Sequence, residues 1–265
     1  MQNLPIYELE QMHDFVSFIS TPRKDNDDLL EFINILHYHT RFFLNDHPIF
    51  EHIKTLFDGC TITFTTHDTL YRARKYDLND NKKIQIQEYF LGFDKNESFV
   101  PPIKKTQANR ANSTGVPCLY TALEIKTAIA EIRPFLGNTI SVAEIKSKRN
   151  LKLFDFYINP SNYNYIKKVK PPYSDIWLKL AISFSKPYEK TSNDEYLLTQ
   201  CISEFLRLSG FDGIQYSSSL NEGGNNIAIF NCRSVCDGGN YEICEPVCSH
   251  TYIVNQIDHC FSKTF

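Results

Sequence analysis

Side chains suited to binding an anionic substrate occur at the ends of several predicted elements of this 265-residue chain. Two arginines offer planar guanidinium groups, which bind phosphates and carboxylates through paired hydrogen bonds. One tyrosine offers an aromatic face for a flat ring, and one glutamate offers a carboxylate. The set comprises Arg72, Arg110, Asn112, Tyr120, Glu131 and Ser217–Ser219. It suits a substrate that is anionic at one end and develops positive charge at the other.

This combination favours cleavage of an N-glycosidic bond, because a carboxylate can stabilise the oxocarbenium-like ribose of the transition state. The sequence has no second carboxylate at a defined spacing, so ordinary two-carboxylate glycosidase chemistry is not indicated. It contains no GxGxxG or Walker-type phosphate loop, no HExxH and no GxSxG. Without a suitably placed histidine, Ser217–Ser219 indicates a hydroxyl cluster in a loop rather than a nucleophile.

The central stretch, residues 109–135, has to position most of these groups. A polar turn with Arg110, Asn112 and Gly115 precedes a short strand that ends at Tyr120. An amphipathic helix follows, capped by Thr121 or Glu124, and its buried stripe is predicted to contain Ile125, Ala128, Ile129 and Ile132. Glu131 lies beside this stripe. It is either a ligand-binding carboxylate or an ordinary solvated helix glutamate, and these residues alone do not decide between the two.

Composition limits the classes of partner. A net charge of −3 and a pI near 6.2 give no general affinity for nucleic acid or anionic membranes. No secretory signal is visible, and no run of about 18 apolar residues predicts a membrane span. Eight cysteines in such a chain indicate reduced thiols and a cytoplasmic protein.

The cysteine-rich tail raises the question of a metal site. It contains two Cys-x3-Cys pairs with histidines nearby, namely Cys232 and Cys236, Cys244 and Cys248, His250 and His259. Zinc sites usually have tighter CxxC pairs, so free thiols are favoured over structural zinc and no metal site is predicted.

The order of predicted elements divides the chain at about residue 60. Residues 1–60 are expected to form a small helical region, with helices over Tyr7–Ser20, Leu29–Leu44 and a short segment ending near Phe57. Residues 61–265 are expected to form a mixed domain with a cysteine-rich tail. Its predicted strands begin near residues 60, 70, 138, 151, 211 and 226, and two helices cover about 176–184 and 195–209.

Residues 68–231 resemble the RES domain, which is named for its arginine, glutamate and serine. The resemblance rests on short motifs in the family's order: Tyr71-Arg72, Arg110-Ala111-Asn112 with Gly115, Leu119-Tyr120-Thr121-Ala122, Glu131, Asp212-Gly213-Ile214, Tyr216-Ser217-Ser218, and Gly224-Asn225 to Phe230. The sequence departs from the family pattern in three motifs. Ala108-Asn109 replaces a glycine pair, Ala111 replaces a tryptophan, and Ser217 replaces the proline before the serine, which makes Ser218 the matching serine.

The resemblance implies an α+β fold of the ADP-ribosyltransferase type. Its split β-sheet core would have flanking helices and bind NAD⁺ in a cleft between two packed sheets, with the helical region in front. Carried over residue by residue, Arg72 would bind the pyrophosphate or adjacent ribose, and Tyr120 would stack on nicotinamide. Glu131 would orient the ribose and stabilise the transition state, and Ser218 would hydrogen-bond the substrate. The remaining NAD⁺-binding set would be Arg110, Asn112, Ser217 and Asn225.

The resemblance also implies a function. RES proteins are toxins of bacterial RES–Xre toxin–antitoxin pairs, and they consume NAD⁺ as a substrate without a further cofactor. This chain would then be an NAD⁺ glycohydrolase or an NAD⁺ phosphorylase, acting as a toxin or defence effector and blocked by an antitoxin. Two alternatives stay open: transfer of ADP-ribose to a protein, and a non-catalytic module that binds NAD⁺ or a partner. The N-terminal helices could contact that partner, mediate self-association or cover an apolar face.

Overall fold

The computed structural model describes residues 27–42, 44, 46–76, 89–159, 166, 173–186 and 196–257. This part of the chain has five α-helices: α1 (Asp27–Tyr38), α2 (Pro48–Lys54), α3 (Ile125–Glu131), α4 (Tyr173–Ser185) and α5 (Leu197–Leu208). Its eight strands are β1 (Thr61–Phe64), β2 (Thr69–Lys75), β3 (Leu119–Ala122), β4 (Thr139–Ser147), β5 (Leu151–Phe156), β6 (Gly213–Ser217), β7 (Asn225–Ile229) and β8 (Cys244–Ile253). The predicted α+β class is confirmed.

The strands form one sheet with a seam near its middle. Their order is β1-β5-β6-β7-β3-β2-β4-β8, and β5 and β6 run parallel whereas the other neighbours are antiparallel. β2 pairs with β4 along its whole length, but it meets β3 at a single residue pair, Tyr71 and Ala122. The expected split therefore takes the form of a seam inside one sheet, and side chains can enter the space where the two halves diverge.

Helix α3 lies over this seam and presents the predicted stripe. Ala128 is buried, and Ile125, Ile129 and Ile132 are partly buried against a cluster that contains Ala73, Ala122, Ile140 and Val142. Glu124 is the N-cap residue, as predicted, but its carboxylate accepts a hydrogen bond from the Thr127 hydroxyl instead of capping the backbone. The helix ends at Glu131, which places that carboxylate at the open end of the seam.

The N-terminal helices belong to the main core. Phe32 of α1 and Ile53 of α2 are fully buried in one apolar cluster together with Phe154 of the sheet and Trp177 of α4. The Trp177 indole donates a hydrogen bond to the Asp155 carbonyl, which fixes α4 against β5. The expected division at residue 60 falls between α2 and β1, and both sides contribute to the same core.

One N-terminal boundary was predicted wrongly. The helix expected over Leu29–Leu44 ends at Tyr38, because the Thr40 hydroxyl bonds to the backbone of Phe42 and competes with further helical turns. The helix expected over Tyr7–Ser20 lies outside the described residues. Within the described residues, no helix combines the length and apolarity needed to cross a bilayer.

Candidate active site

A cavity of about 290 Å³ lies at the seam between β2 and β3. Arg72 from β2, Tyr120 from β3, Arg110 from the preceding turn and Glu131 from the end of α3 all line it. Four of the side chains predicted from the sequence are therefore brought together, although they come from separate elements. The other lining residues are Tyr71, Ala73, Asn109, Thr121, Ala122, Ala128, Ile132, Tyr216 and Asn226.

The Glu131 carboxylate is held by two hydrogen bonds to one of its oxygens. Oε1 accepts a bond from the Ser218 hydroxyl at 2.7 Å and another from the Asn226 side-chain amide at 2.7 Å. Both donors approach the same oxygen, and Oε2 has no hydrogen-bond partner among the described residues. Glu131 is therefore fixed in place while one oxygen stays available to a bound molecule.

Ser218 is oriented by the loop that it opens. Its oxygen accepts hydrogen bonds from the backbone N–H groups of Leu220 at 3.1 Å and Asn221 at 3.2 Å. Its own N–H donates to the Gly224 carbonyl at 2.8 Å, which closes the loop. Because two donors already point at the oxygen, the hydroxyl proton is directed to Glu131. Asn221 also donates to the Thr127 hydroxyl at 2.8 Å and so ties the loop to α3.

Asn226 was missed by sequence reasoning, which named Asn225 instead. Consecutive residues of a strand point to opposite faces of the sheet. Asn226 pairs in register with Ala122 of β3 and Tyr216 of β6, and all three line the cavity. Alternation along β7 puts the two asparagines on opposite faces of the sheet. Only the register with β3 shows that Asn226 is the one that faces the cavity.

The structure does not bring Asn225 or Ser217 to this cavity. The Asn225 side-chain oxygen accepts a hydrogen bond from the Gln215 amide at 3.3 Å. The Ser217 hydroxyl accepts one from the backbone N–H of Ile158 at 3.1 Å. Both side chains are engaged elsewhere, and neither lines the space beside Glu131.

Tyr120 and Asn112 fix the turn that carries Arg110. The Tyr120 hydroxyl donates to Asn112 Oδ1 at 2.7 Å and accepts from the Ala111 N–H at 2.9 Å. The buried Asn112 amide donates to the carbonyls of Gln107 and Ser113, each at 2.9 Å. Burial raises the pKa of Tyr120 well above its usual value, so the hydroxyl stays protonated. Tyr120 lines the cavity, whereas Asn112 is not among the lining residues.

The two arginines of the cavity differ in their partners. Arg110 donates a hydrogen bond to the Phe184 carbonyl, and its guanidinium lies 6.0 Å from the centroid of the Tyr216 ring. Arg72 has a buried Nε without a hydrogen-bond partner. Burial, together with the like charge of Arg74, lowers the pKa of Arg72 to about 10, so the group remains charged at neutral pH. An unpaired charged donor beside a cavity favours an anionic ligand.

Comparison with known proteins gives one family match. The model of the RES domain matches residues 85–241, which is more than half of the chain. The chain belongs to the RES domain family. Among solved structures, it is similar to a chain of the M. tuberculosis MbcT–MbcA toxin–antitoxin complex, with 10% sequence identity, a TM-score of 0.41, and coverage of 78% of this chain and 93% of that one. No curated protein matches the sequence.

The matched segment contains most of the cavity of this RES domain protein. Arg110, Tyr120, Glu131, Ser218 and Asn226 all lie within residues 85–241, whereas Arg72 comes before them on β2. The resemblance stated from the motifs is therefore confirmed for the family. Arg72 of β2 also lines the cavity, but it lies before the first residue that the family model matches.

The cysteines of the tail do not form a metal site within the described residues. That part of the chain contains no group of three histidine, cysteine or acidic side chains that could hold an ion. Cys232 and Cys244 are buried free thiols. The pKa of Cys232 is raised well above its usual value, mainly by a hydrogen bond with Cys244 and secondly by burial. His259 and Cys260 lie outside the described residues.

Proposed function

We propose that this RES domain protein is a bacterial toxin that cleaves the nicotinamide–ribose bond of NAD⁺. The observation that carries the proposal is Glu131, whose carboxylate is fixed through Oε1 and open at Oε2 in a cavity that also presents Arg72 and Arg110. Membership of the RES family supports the same chemistry. The substrate is consumed, and the reaction needs no additional cofactor.

Glu131 would act where positive charge develops. When the bond between ribose C1′ and the nicotinamide nitrogen breaks, its electron pair leaves with nicotinamide, which becomes neutral. The ribose is left with oxocarbenium character, and a carboxylate at a fixed position stabilises that charge without having to reorient. Ser218 and Asn226 supply the fixation. Oε2 is the oxygen that would hydrogen-bond a ribose hydroxyl.

The arginines would hold the anionic part of the substrate. Arg72 presents a buried N–H without a partner, and a pyrophosphate oxygen would supply the missing acceptor. Arg110 is already bonded to the Phe184 carbonyl, so it would act mainly through its charge and by shaping the wall. Tyr120, with its hydroxyl engaged, offers its ring to the nicotinamide.

The nucleophile distinguishes the two forms of the reaction. In hydrolysis, a water oxygen bonds to C1′ and loses its proton, which yields ADP-ribose. In phosphorolysis, a phosphate oxygen takes that place, and the product carries an additional phosphate. Both forms use the same carboxylate and the same arginines, so product analysis has to separate them.

Uncontrolled loss of NAD⁺ would harm the cell that makes the enzyme. We therefore infer that an antitoxin protein binds this chain and blocks the cavity until the toxin is released. We also propose the cytoplasmic location expected from the sequence, because the toxin has to share a compartment with NAD⁺ and with its antitoxin.

The direct experiment is to measure NAD⁺ loss by the purified full chain, with and without phosphate, and to identify the products by mass spectrometry. We expect rapid loss for the wild type and a rate about 10²- to 10³-fold lower for Glu131→Ala, because the group that stabilises the transition state is removed. Glu222→Ala is the matched control, since Glu222 is an exposed carboxylate on the neighbouring loop. NAD⁺ that stays intact with the wild type, or full activity of Glu131→Ala, would contradict the proposal.

A further inference from the structure

A second cavity, of about 470 Å³, has walls that share no residue with the cavity at the seam. It is enclosed by the turn at residues 115–117, the C-terminal end of α5 and the loop at residues 231–243. None of the functions proposed above uses these walls. The cavity is larger than the first one and lies within the size range of small-molecule sites.

Arg207 is the polar group that this cavity leaves unsatisfied. It lies in the last turn of α5 and lines the cavity, and its Nε and Nη2 atoms are buried without hydrogen-bond partners. Its guanidinium forms no hydrogen bond or ion pair with any described residue, and it lies 5.1 Å from the centroid of the Phe230 ring. Buried donors of a charged group lower the stability of the folded state when they lack acceptors. A ligand that supplies acceptors to Arg207 would remove this cost.

The other charged groups of the cavity leave its balance positive. Arg233 is exposed at the edge, and Glu242 is the acidic residue of the lining. A carboxylate oxygen of Glu242 accepts a hydrogen bond from the Asn240 amide at 2.9 Å, and the side chain is exposed. The nearby Cys232 thiol adds no negative charge, because its pKa is raised well above the usual value. An anion can therefore approach Arg207 without meeting a free buried carboxylate.

The remaining walls combine aromatic and aliphatic side chains with polar asparagines. Phe99 is buried and packs edge-on against Tyr241, with ring centroids 5.0 Å apart. The rim at Gly239 is held by a hydrogen bond from its N–H to the Ser234 carbonyl at 2.9 Å. A Cβ at Gly239 would lie 2.1 Å from the Arg233 carbonyl oxygen, so this close approach requires glycine.

We propose that this cavity is a second ligand site, which binds a small molecule with an oxyanion group on an aromatic or apolar body. The oxyanion, a phosphate or a carboxylate, accepts paired hydrogen bonds from the planar guanidinium of Arg207, which lines the cavity. The body of the ligand contacts Phe99 and Tyr241. The site is independent of NAD⁺ cleavage, because the carboxylate of Glu242 in its lining is exposed to solvent and bonded to the Asn240 amide.

The test is a calorimetric titration of the full chain with phenyl phosphate and, separately, with benzoate at matched ionic strength. We expect at least one of these probes to bind, and the preferred probe identifies the oxyanion. Binding is expected to weaken about tenfold or more in Arg207→Met, because charged hydrogen bonds are lost. Arg207→Lys keeps a charge beside Phe230 but lacks the paired donors, and it should lose affinity in the same way. Arg72→Gln is the matched control, because it removes the unpaired guanidinium of the other cavity and should leave this binding unchanged.

Thermal unfolding separates a binding role from a structural one. The ligand-free Arg207→Met chain should unfold at the wild-type temperature or above it, because an unpaired buried charge is removed. The probe that binds should raise the midpoint of the wild type but not that of Arg207→Met. Failure of both probes to bind at millimolar concentration would overturn the proposal. Binding that survives Arg207→Met, or a lower midpoint of that ligand-free variant, would also overturn it.

Discussion

The two cavities of this RES domain protein differ in how their polar groups are satisfied. At the seam, Glu131 is fixed by two donors, and Tyr120 both donates and accepts hydrogen bonds. In the second cavity, the Arg207 guanidinium has no hydrogen bond or ion pair within the described part of the chain. The first cavity is an organised polar network with an available carboxylate oxygen. The second is a pocket lined by both apolar and polar side chains, with a charged donor that lacks an acceptor.

This difference underlies the two proposals, chemistry at the seam and ligand binding in the second cavity. Both cavities contain an arginine with an unpartnered buried N–H, Arg72 in one and Arg207 in the other, so both favour an anion. At the seam, Glu131 is held by two hydrogen bonds, whereas Glu242, the acidic residue that lines the second cavity, is exposed and accepts one bond from Asn240. A carboxylate held in advance can stabilise a developing positive charge, whereas an arginine beside an aromatic ring can hold an anionic ligand.

The network at the seam can be broken at Asn226 while the Glu131 carboxylate itself is kept. Asn226→Ala removes one of the two donors that hold Glu131, and we expect NAD⁺ turnover to fall about 10- to 100-fold, the range of one hydrogen bond to a charged group. Asn225→Ala is the matched control, because its side chain points away from the cavity and should leave turnover close to wild type. Equal losses in the two variants, measured by steady-state kinetics, would show that the register of β7 does not position Glu131.

A smaller effect, on stability, sharpens the comparison between the cavities. Tyr120→Phe leaves the buried Asn112 Oδ1 and the Ala111 N–H without their partner, so we expect the free energy of unfolding to fall by about 1–3 kcal/mol. Arg207→Met should show no such fall. Denaturant unfolding of both variants beside the wild type measures the difference. An unchanged Tyr120→Phe would mean that the hydroxyl does not stabilise the turn.

The sequence predicted those parts of the site that depend on local order. The apolar stripe from Ile125 to Ile132 indicated α3 and placed Glu131 beside a buried face, and the structure confirms the helix and its stripe. The family motifs named Arg72, Tyr120 and Ser218, and the structure places the first two in the cavity lining and the third in contact with Glu131. Ser218 reaches Glu131 although 87 residues separate them.

The parts that the sequence did not predict depend on contacts between distant segments. Asn226 faces Glu131 because of the register between β7 and β3, and a shift of one residue would have presented Asn225 instead. The second cavity is closed by Phe99, Arg207 and Tyr241, which are distant in sequence and carry no shared motif. The early end of α1 at Tyr38 follows from a local side-chain bond of Thr40 that hydrophobic periodicity does not show.

The most direct test of the central claim compares binding and turnover in Glu131→Gln. The amide keeps the size of the side chain but removes the charge that would stabilise the ribose in the transition state. We predict that kcat for NAD⁺ cleavage falls about 10²- to 10³-fold. The Kd for NAD⁺ from calorimetry should stay within about threefold of the wild type, because the lost interaction is made mainly in the transition state. Turnover that survives the substitution, or a loss that lies entirely in Kd, would contradict the assignment of Glu131 as the catalytic carboxylate.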